Sequence, residues 1–329
     1  MRHFDVDFRD KNGERYQLSK RIAELTEALM ANYFVYDTEV LEGVWFRDGK
    51  FTYEQREEGT WLPFDTEHDT WGYADCYAWM KHSFTVPTRF AGRPVYYQIL
   101  PQEGKKWAWG SPQALLYANG EALQGFDSNH TRTRLLDCAQ GGEHYEMLLN
   151  LYAGGRDYEG KIGTRLRLLS VDDEVEKLYW HLRTPLEVAN LKEPDELARI
   201  HLLQTLNEAV SLVSFHLPYG EDFLESVREA TAYLEKKLYG KREMEATVSA
   251  VGHTHIDVAW LWRLRQTRDK TSRSFATVLK LMEEYPDYRF MSSQAQLYEF
   301  IRQEHPAIFA RIRESVRQEI GRASCRERV

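Results

Sequence analysis

The spacing of the apolar residues changes along the chain, and this change limits the folds that the chain can adopt. Near residues 17–32 the apolar residues recur at helical spacing, whereas from about residue 35 to residue 186 they come in short runs rich in Trp, Tyr, Phe, Val and Leu. Gly, Asn, Asp and Pro separate these runs, as turns separate the strands of an antiparallel sheet. Helical spacing returns after Pro194. We therefore predict a multidomain protein with a β-rich unit flanked by helices.

The first two segments are predicted to be a helix and a β-sandwich. Residues 1–34 form the helical segment, because the apolar residues near its end share one helical face. Residues 35–188 form an all-β sandwich, because many short strands with turn residues between them are typical of that fold. The helical face consists of Leu18, Ile22, Leu25, Leu29 and Met30.

A helical connector is predicted over residues 189–244. Its apolar residues recur about every 3.6 positions, which gives each of two helices one stripe to bury. The stripes are Leu197, Ile200, Leu203, Leu206 and Val210 in the first helix, and Phe223, Val227, Ala230, Leu234 and Leu238 in the second.

Residues 245–318 are predicted to alternate between strand and helix, which indicates an α/β domain with parallel strands. The predicted elements are a strand at 246–252, a helix at about 274–284, a strand at 289–292 and a helix from about residue 296. Barrel domains of this kind need about 200 residues or more, so we expect only the start of a β/α-barrel-like catalytic domain, with sheet faces and edges left uncovered. Residues 319–329 do not continue the apolar pattern and are predicted to be a non-native tail.

The composition excludes several classes of partner. The formal net charge is -8 and the pI is near 5.8, so the chain lacks the excess of Lys and Arg that nucleic-acid binding requires. The amino terminus has no apolar signal segment and no later run is long enough to span a membrane, so we predict a cytoplasmic protein without a membrane partner. Cys76, Cys138 and Cys325 fit neither a metal motif nor a disulfide framework.

The residues that can carry chemistry lie at the end of the first strand predicted in the α/β segment. Side chains alternate along an extended chain, so His253, His255 and Asp257 point to the same side. An imidazole and a carboxylate two residues apart are a half-site for zinc, with the remaining ligands supplied by other strands. The same residues also fit an ordinary turn, and Trp260 and Trp262 fit an ordinary core, so the spacing alone leaves metal and sugar binding open.

The sequence around these residues resembles a known enzyme family. The run AVGHTHIDVAWLWRLRQTRDK and the residues after it resemble the start of the catalytic domain of glycoside hydrolase family 38, the class II α-mannosidases, and especially their bacterial and fungal cytosolic branch. Segments further upstream resemble the β-rich amino-terminal domain of that branch. The shared features are the HxHxDxxWLW signature, the Arg-Ser-Phe helix, the Glu-Tyr-Pro-Asp turn at 284–287, the Ser-Gln-Ala-Gln segment at 293–296, Trp71-Gly72, Ala78-Trp79 and residues 116–121 and 124–127.

The resemblance implies a retaining, zinc-dependent α-mannosidase that acts on terminal α-mannosyl residues of glycans or oligosaccharides. It assigns His255 and Asp257 as ligands of one Zn²⁺ ion and Trp260 as the aromatic residue beside the bound mannose. His253 matches a motif position that at most contacts a ligand. The metal would orient vicinal sugar hydroxyls and act as a Lewis acid, while the indole would pack on the apolar face of the ring. A homo-oligomer is one possible state of the full-length parent protein.

No catalytic residue is assigned in this chain. Retaining hydrolysis needs a carboxylate nucleophile and a general acid, and the resemblance places both downstream of Val329. The family also has a Gly-Arg-Trp-Glu type segment after the position of Arg317, which this sequence lacks. Asp269, Glu283 and Glu284 are predicted to be solvated surface charges. We therefore expect an inactive amino-terminal fragment of an α-mannosidase.

Two other functions remain open. A non-catalytic carbohydrate-binding protein built on the β-sandwich would bind sugars through residues 1–240 alone. Its candidate sugar-binding residues are Trp71, Trp79, Trp107 and Trp109, for which core packing is the commoner role. A different HxHxD metallohydrolase, such as a deacetylase or an amidohydrolase, would act on an acetylated sugar or an amide and not on an aryl α-mannoside.

Overall fold

The computed structural model describes residues 16–107, 111–155, 162–193, 196–217, 219–240 and 248–318. The helices in these ranges are α1 (Tyr16–Asn32), α2 (Asp173–Asn190), α3 (Leu197–Leu212), α4 (Glu221–Lys237), α5 (Leu264–Glu284), α6 (Ala295–Glu304) and α7 (Pro306–Arg317). The strands are β1 (Val35–Val40), β2 (Val44–Asp48), β3 (Leu62–Phe64), β4 (Thr70–Trp71), β5 (Tyr77–Thr85), β6 (Val95–Leu100), β7 (Gln113–Ala118), β8 (Glu121–Phe126), β9 (Arg132–Leu136), β10 (His144–Tyr152), β11 (Ile162–Gly163), β12 (Arg165–Val171), β13 (Gly252–His253) and β14 (Phe290–Met291).

The chain groups into two compact units, each made of two segments. The first comprises Met1–Thr38 and Leu169–Ala246, and the second comprises Glu39–Leu168 and Thr247–Val329. The sequence predicts consecutive domains with boundaries near residues 34, 188 and 244, whereas each compact unit combines two separate segments. The two divisions differ in kind, and the predicted boundaries stay predictions. The predicted tail at 319–329 lies outside the described residues.

The first unit is helical. Helix α1 contacts α2 and α3, and α2, α3 and α4 contact one another. The helices predicted from apolar spacing near residues 17–32, 197–210 and 223–238 are all present.

Helix α2 differs from the prediction, because it occupies residues that the sequence analysis gives to the sandwich. The last long strand ends at Val171, and Asp172 begins the helix by accepting hydrogen bonds from the backbone N–H of Glu174 at 3.0 Å and of Val175 at 3.3 Å. Acidic residues fill the first turn, where they favour the helix dipole. The amino-terminal cap was the signal that could have moved the boundary.

The antiparallel sheets that the short apolar runs predict lie mostly in the second unit, although β1 and β12 extend beyond its limits at Glu39 and Leu168. One sheet has the strand order β1-β12-β6-β9 and a larger one has the order β3-β2-β5-β10-β7-β8. Apolar side chains from both sheets form one buried cluster, so the two sheets bury their inner faces together. The cluster includes Val44, Ala78, Met80, Leu116, Leu149 and Leu151 from the larger sheet and Val95, Tyr97, Ile99, Leu166 and Leu168 from the smaller one.

The larger sheet is buried on its outer face as well, because the segment 248–318 packs there. Trp79, Leu115 and Tyr117 of this face belong to a second buried cluster with residues of α5, α6, α7 and β14. From the sequence, this segment is expected to leave its sheet faces uncovered. That expectation is wrong for the side that meets the sheet, because the strands supply an apolar outer face at these positions. The partners include Ile256, Phe275, Ala276, Leu279, Phe290, Leu297, Ile301, Ile308 and Ile312.

Gly125 allows the close approach of β8 to α5. A Cβ atom at this position would lie 2.7 Å from the Cβ atom and 2.9 Å from the carbonyl oxygen of Arg273. The backbone N–H of Gly125 donates to the hydroxyl of Thr277 at 3.0 Å. A glycine therefore brings the sheet and the helix into direct backbone contact, within the 124–127 segment that resembles the mannosidases.

Replacing Gly125 with alanine is expected to destabilise the chain by about 1–3 kcal/mol, because the added methyl overpacks a contact in which the backbone of α5 cannot move freely. Urea unfolding of the purified chain measures the change. Gly155→Ala is the matched control, since its nearest neighbours are the ends of two side chains, at 3.3 Å and 3.5 Å. Equal stability of the two variants would contradict the close contact.

The α/β segment contains one parallel strand pair among the described residues. β13 pairs with β14, with Gly252 opposite Phe290 and His253 opposite Met291. The predicted helix at 274–284 begins ten residues earlier, at Leu264, and the helices after residue 295 are two rather than one. Two short parallel strands fit the start of a larger α/β domain, and the barrel stays a prediction.

Long apolar helices and the state of the cysteines can be examined in the described residues. In the ranges that the structure describes, no helix combines the length and apolar character needed to cross a bilayer. Cys76 is buried and Cys138 is exposed, and neither forms a disulfide. Cys325 lies outside the described residues.

Candidate metal and sugar site

The candidate site begins where β13 ends. The backbone N–H of Gly252 donates to the carbonyl oxygen of Arg289 at 2.7 Å, which holds the strand beside β14. After the strand, Ile256 is 1% exposed and belongs to the second buried cluster. His253 and His255 lie on the other side and are exposed. One buried isoleucine thus anchors the segment and leaves the polar side chains open to solvent.

His255 and Asp257 converge. The Nε2 atom of His255 lies 3.1 Å from Oδ1 of Asp257, and the two side chains are 73% and 37% exposed. An imidazole nitrogen and a carboxylate oxygen are ligand types that zinc accepts. Within the described ranges, no group of three or more His, Cys, Asp or Glu side chains is arranged to hold a metal. The arrangement fits two of the ligands of a zinc ion and needs further ligands to complete the site.

The first turn of α5 holds the loop that follows, which we define as residues 258–262 and call the tryptophan loop. The hydroxyl of Thr267 is buried and donates to the carbonyl oxygen of Val258 at 2.7 Å. The same hydroxyl accepts from Nε1 of Trp262 at 3.0 Å. The backbone N–H of Arg263 donates to the side-chain oxygen of Gln266 at 2.7 Å, which caps the helix. Both ends of the tryptophan loop are therefore fixed by side chains of α5.

The two tryptophans of this loop have different surroundings. Trp262 is half-buried, with its indole N–H bonded as above and the ammonium of Lys270 5.3 Å from its ring centre. Trp260 is 68% exposed and meets Trp262 edge to face, with 5.8 Å between ring centres. Trp262 has the packing role that aromatic residues usually have, whereas Trp260 offers an open indole face beside His255 and Asp257 in the sequence. Apolar spacing cannot distinguish them.

A cluster of polar side chains that the sequence does not predict joins the sandwich to the start of α5. Tyr152 donates its hydroxyl hydrogen to Oδ1 of Asp75 at 2.8 Å, and the guanidinium of Arg263 donates to Oδ2 at 3.0 Å. Arg265 also bonds Oδ2 of Asp75, and Gln266 bonds the hydroxyl of Tyr152. We call these five residues the Asp75 cluster. It holds the residues immediately after the tryptophan loop on the sandwich.

Asp75 has an unusual backbone conformation. Its φ angle is +62°, in the left-handed region that residues other than glycine seldom adopt, although Asp and Asn adopt it more readily than most. Burial and then the bond to Asp75 raise the pKa of Tyr152 to about 12, so its hydroxyl stays protonated and able to donate. The cluster depends on the backbone conformation of Asp75 and on two arginines far along the chain, so no local sequence pattern predicts it. The nearby Trp71-Gly72 resemblance was the only indication of this region.

Replacing Asp75 with asparagine is expected to destabilise the chain by about 1–3 kcal/mol, because it removes the charge that Arg263 and Arg265 share. Asparagine tolerates the same backbone conformation, so the variant isolates the charge. Hydrogen–deuterium exchange of peptides covering residues 258–266 should become faster. Asp137→Asn is the matched control, because that carboxylate also pairs with an arginine, at 3.1 Å, but is 89% exposed. Unchanged exchange in Asp75→Asn would contradict this role.

The carboxylates that the sequence analysis describes as solvated differ from one another. Tyr77 donates to Oδ2 of Asp269 at 2.5 Å, and the side chain of Asp269 is only 24% exposed. Burial raises the pKa of Glu284, whose side chain is 20% exposed. The prediction is therefore wrong for these two residues, which face the packed side of α5. It is confirmed for Glu283, which is 54% exposed.

Lys270 links two of the motif regions electrostatically. Burial and then the neighbouring charge of Arg273 lower the pKa of this ammonium group, while the charges of Asp257 and Asp127 oppose the lowering. Asp127 accepts hydrogen bonds from the backbone N–H of Asn129 at 2.7 Å and of His130 at 2.9 Å, and so closes a turn. The 124–127 segment thus contributes the carboxylate of Asp127, whose charge acts on the same lysine, Lys270, as the charge of Asp257.

Two of the tryptophans proposed for a sugar-binding face in the sandwich, Trp71 and Trp79, are core residues. Trp71 is 4% exposed and donates to the hydroxyl of Thr164 at 2.9 Å, and Trp79 is fully buried. Trp107 packs against the sandwich core and donates to the carbonyl oxygen of Gly163 at 2.9 Å. Trp109 lies outside the described residues. Trp71 and Trp79 therefore have no face available for a sugar, whereas Trp107 is only partly buried.

Proteins with similar sequences are named α-mannosidases, in agreement with the resemblance of the HxHxDxxWLW signature to that family. "Alpha-mannosidase G" of Dictyostelium discoideum is 26% identical over 72% of this chain and 22% of its own length. "Alpha-mannosidase 2C1" of Homo sapiens is 27% identical over 75% of this chain and 24% of its own length. An "Alpha-mannosidase" of Saccharomyces cerevisiae is 31% identical over 38% of this chain and 10% of its own length. The chain therefore spans less than a quarter of the length of these relatives.

The family profile that matches describes the segment containing the candidate site. Residues 245–321 match the N-terminal domain of the glycosyl hydrolases of family 38. This range includes β13, the tryptophan loop and helices α5 to α7. The resemblance to the family 38 α-mannosidases is thereby confirmed, and it is carried by residues 245–321, which are similar to the N-terminal domain of that family.

Proposed function

We propose that the protein to which this chain belongs is a retaining, zinc-dependent α-mannosidase. The observation that carries the proposal is the convergence of His255 Nε2 and Asp257 Oδ1 at 3.1 Å inside the segment that matches family 38. The relatives that cover most of this chain are named α-mannosidases. The substrates we propose are mannose-containing glycans or oligosaccharides, met in the cytoplasm as the sequence analysis predicts.

His255 and Asp257 would hold the metal through the imidazole nitrogen and the carboxylate oxygen. When bound there, zinc would supply Lewis acidity and a template for vicinal hydroxyls. Trp260, 68% exposed, would contribute an apolar face on which the C–H side of a mannose ring can pack. The Asp75 cluster and Thr267 would act indirectly, because they fix the loop that carries the indole.

The nucleophile and the general acid are proposed to lie elsewhere in the parent protein. Retaining hydrolysis requires two carboxyl groups about 5–5.5 Å apart on either side of the glycosidic bond. Two carboxylates near the site are already engaged: Asp75 binds two arginines, and Asp269 accepts from Tyr77. The remaining zinc ligands are likewise proposed to come from other strands of the parent.

The test is to express the full-length parent gene and follow hydrolysis of an aryl α-mannoside. We expect activity that a chelator removes and that added Zn²⁺ restores, with NMR showing the α-anomer as the first product. An aryl β-mannoside is the control substrate and should not be cleaved. Activity that survives complete removal of metal would contradict the zinc proposal. Activity on an acetylated sugar or an amide, with none on the α-mannoside, would identify a different metallohydrolase.

A further inference from the structure

Strand register places a row of side chains across the outer face of the larger sheet. Trp45 of β2 lies opposite Lys81 of β5, Lys81 lies opposite Leu148 of β10, and Leu148 lies opposite Tyr117 of β7. Residues directly opposite each other in a sheet share the same face. Glu146 lies on this face as well, because it is two residues from Leu148. The row forms the floor of a cleft.

The walls of this cleft, which we call the outer cleft, come from two loops. Tyr53 donates its hydroxyl hydrogen to the carbonyl oxygen of Gly120 at 2.8 Å, and its ring stacks on that of Tyr117 with 4.5 Å between centres. The guanidinium of Arg56 lies 4.6 Å from the centre of the Tyr53 ring. The cleft has a volume of about 500 Å³. Sites for small ligands usually have about 300–1,000 Å³.

The chemistry of the outer cleft favours a neutral, hydroxyl-rich ligand. Its charged groups are balanced, because Arg56 and Lys81 are cationic and Glu57 and Glu146 are anionic. Lys81 also lies 3.4 Å from Glu57, so part of this charge is neutralised within the cleft. A polyanion or a polycation would meet as much repulsion as attraction here. Hydroxyl groups can donate to the carboxylates and accept from the cations.

Trp45 provides the apolar surface that such a ligand needs. Trp45 is 44% exposed although it lies in a sheet, and it stands at the end of the row that forms the floor. A sugar ring has one face of C–H groups and a rim of hydroxyls, so it can pack on an exposed indole while its rim bonds charged neighbours. Polar groups around an exposed aromatic surface therefore match a sugar better than a purely apolar ligand.

We propose that the outer cleft binds one or two sugar rings of a neutral oligosaccharide, with Trp45 as the platform. None of its lining residues belongs to the segment 248–318, so the cleft is separate from the candidate metal site. The inference does not depend on the proposed hydrolysis. Such a site would hold a glycan on the protein without contributing to bond cleavage.

The experiment is a titration of the whole 329-residue chain with α-linked mannobiose and, separately, with maltose, followed by calorimetry and by ligand-observed NMR. We expect a dissociation constant on the order of 1 mM for at least one disaccharide. Trp45→Ala should weaken binding at least about tenfold, since aromatic anchors carry a large share of binding energy. Trp180→Ala is the matched control, because that indole is 49% exposed in helix α2. Far-UV circular dichroism and thermal melting check that both variants fold.

The outcomes separate this inference from the proposed function. Binding that Trp45→Ala removes, and that neither Trp260→Ala nor a chelator changes, supports the outer cleft. Binding that Trp260→Ala or a chelator removes, and that Trp45→Ala leaves intact, overturns it and places the sugar at the candidate metal site instead. No binding of either disaccharide at about 10 mM also overturns it, and leaves the hydrolysis of aryl α-mannosides by the parent as a separate question.

Discussion

Replacing His255 with alanine in the full-length parent is expected to lower kcat/KM for an aryl α-mannoside by about 10³-fold or more. Loss of one ligand weakens metal binding, and a metal that acts as a Lewis acid is worth several kcal/mol in the transition state. Each 1.36 kcal/mol corresponds to about a tenfold change in rate. Asp257→Asn should have a similar effect, because its Oδ1 lies 3.1 Å from the same imidazole and would share the ion.

Metal content distinguishes this explanation from simple misfolding. Bound zinc per chain, measured by plasma mass spectrometry, should fall in both variants while the melting temperature stays within a few degrees of the parent. His201→Ala is the control, since that exposed histidine lies on α3 in the helical unit. Full zinc content together with full activity in His255→Ala would refute its assignment as a ligand.

Replacing Trp79 with alanine is expected to destabilise the chain by about 3–5 kcal/mol, the usual cost of removing a buried aromatic side chain. Trp79 is fully buried and belongs to the cluster that joins the larger sheet to α5, α6 and α7. Its ring also stacks with Tyr117, 6.3 Å between centres, and lies 5.8 Å from the guanidinium of Arg47. Arg47 is itself buried, so the variant also removes one of the aromatic rings that surround its charge.

Urea unfolding followed by circular dichroism measures this loss. Trp180→Ala, which truncates an indole that is 49% exposed, should change the unfolding free energy by less than about 1 kcal/mol. A similar small change in Trp79→Ala would mean that the second buried cluster contributes little, and that the sheet and the segment 248–318 are held together by other contacts.

The periodicity of apolar residues predicts the elements that are buried on one face only. Helices α1, α3 and α4 bury apolar residues that follow the helical period, but Leu197, the first residue of α3 and part of its predicted stripe, is 71% exposed. Strand β5 is different: Ala78, Trp79 and Met80 are all buried, because both faces of the sheet are covered. Alternation cannot reveal a strand of that kind. The cover comes from residues about 200 positions later, and no local pattern reports it.

The candidate site was only partly predictable for the same reason. The spacing of His255 and Asp257 placed them on one side, and their convergence follows from an extended backbone. The Asp75 cluster depends on a left-handed residue and on side chains separated by up to 190 positions. Such contacts arise from tertiary packing, which single-sequence reasoning does not include. The exposure of Trp45 in the outer cleft is a further example.

The contact between Gly125 and Arg273 also has an evolutionary consequence. Since the sheet and helix α5 touch backbone to backbone, a change in one requires a compensating change in the other. Chimaeric chains that join residues 39–168 of one protein to residues 247–318 of a relative should therefore be destabilised unless the two sides of this contact are matched.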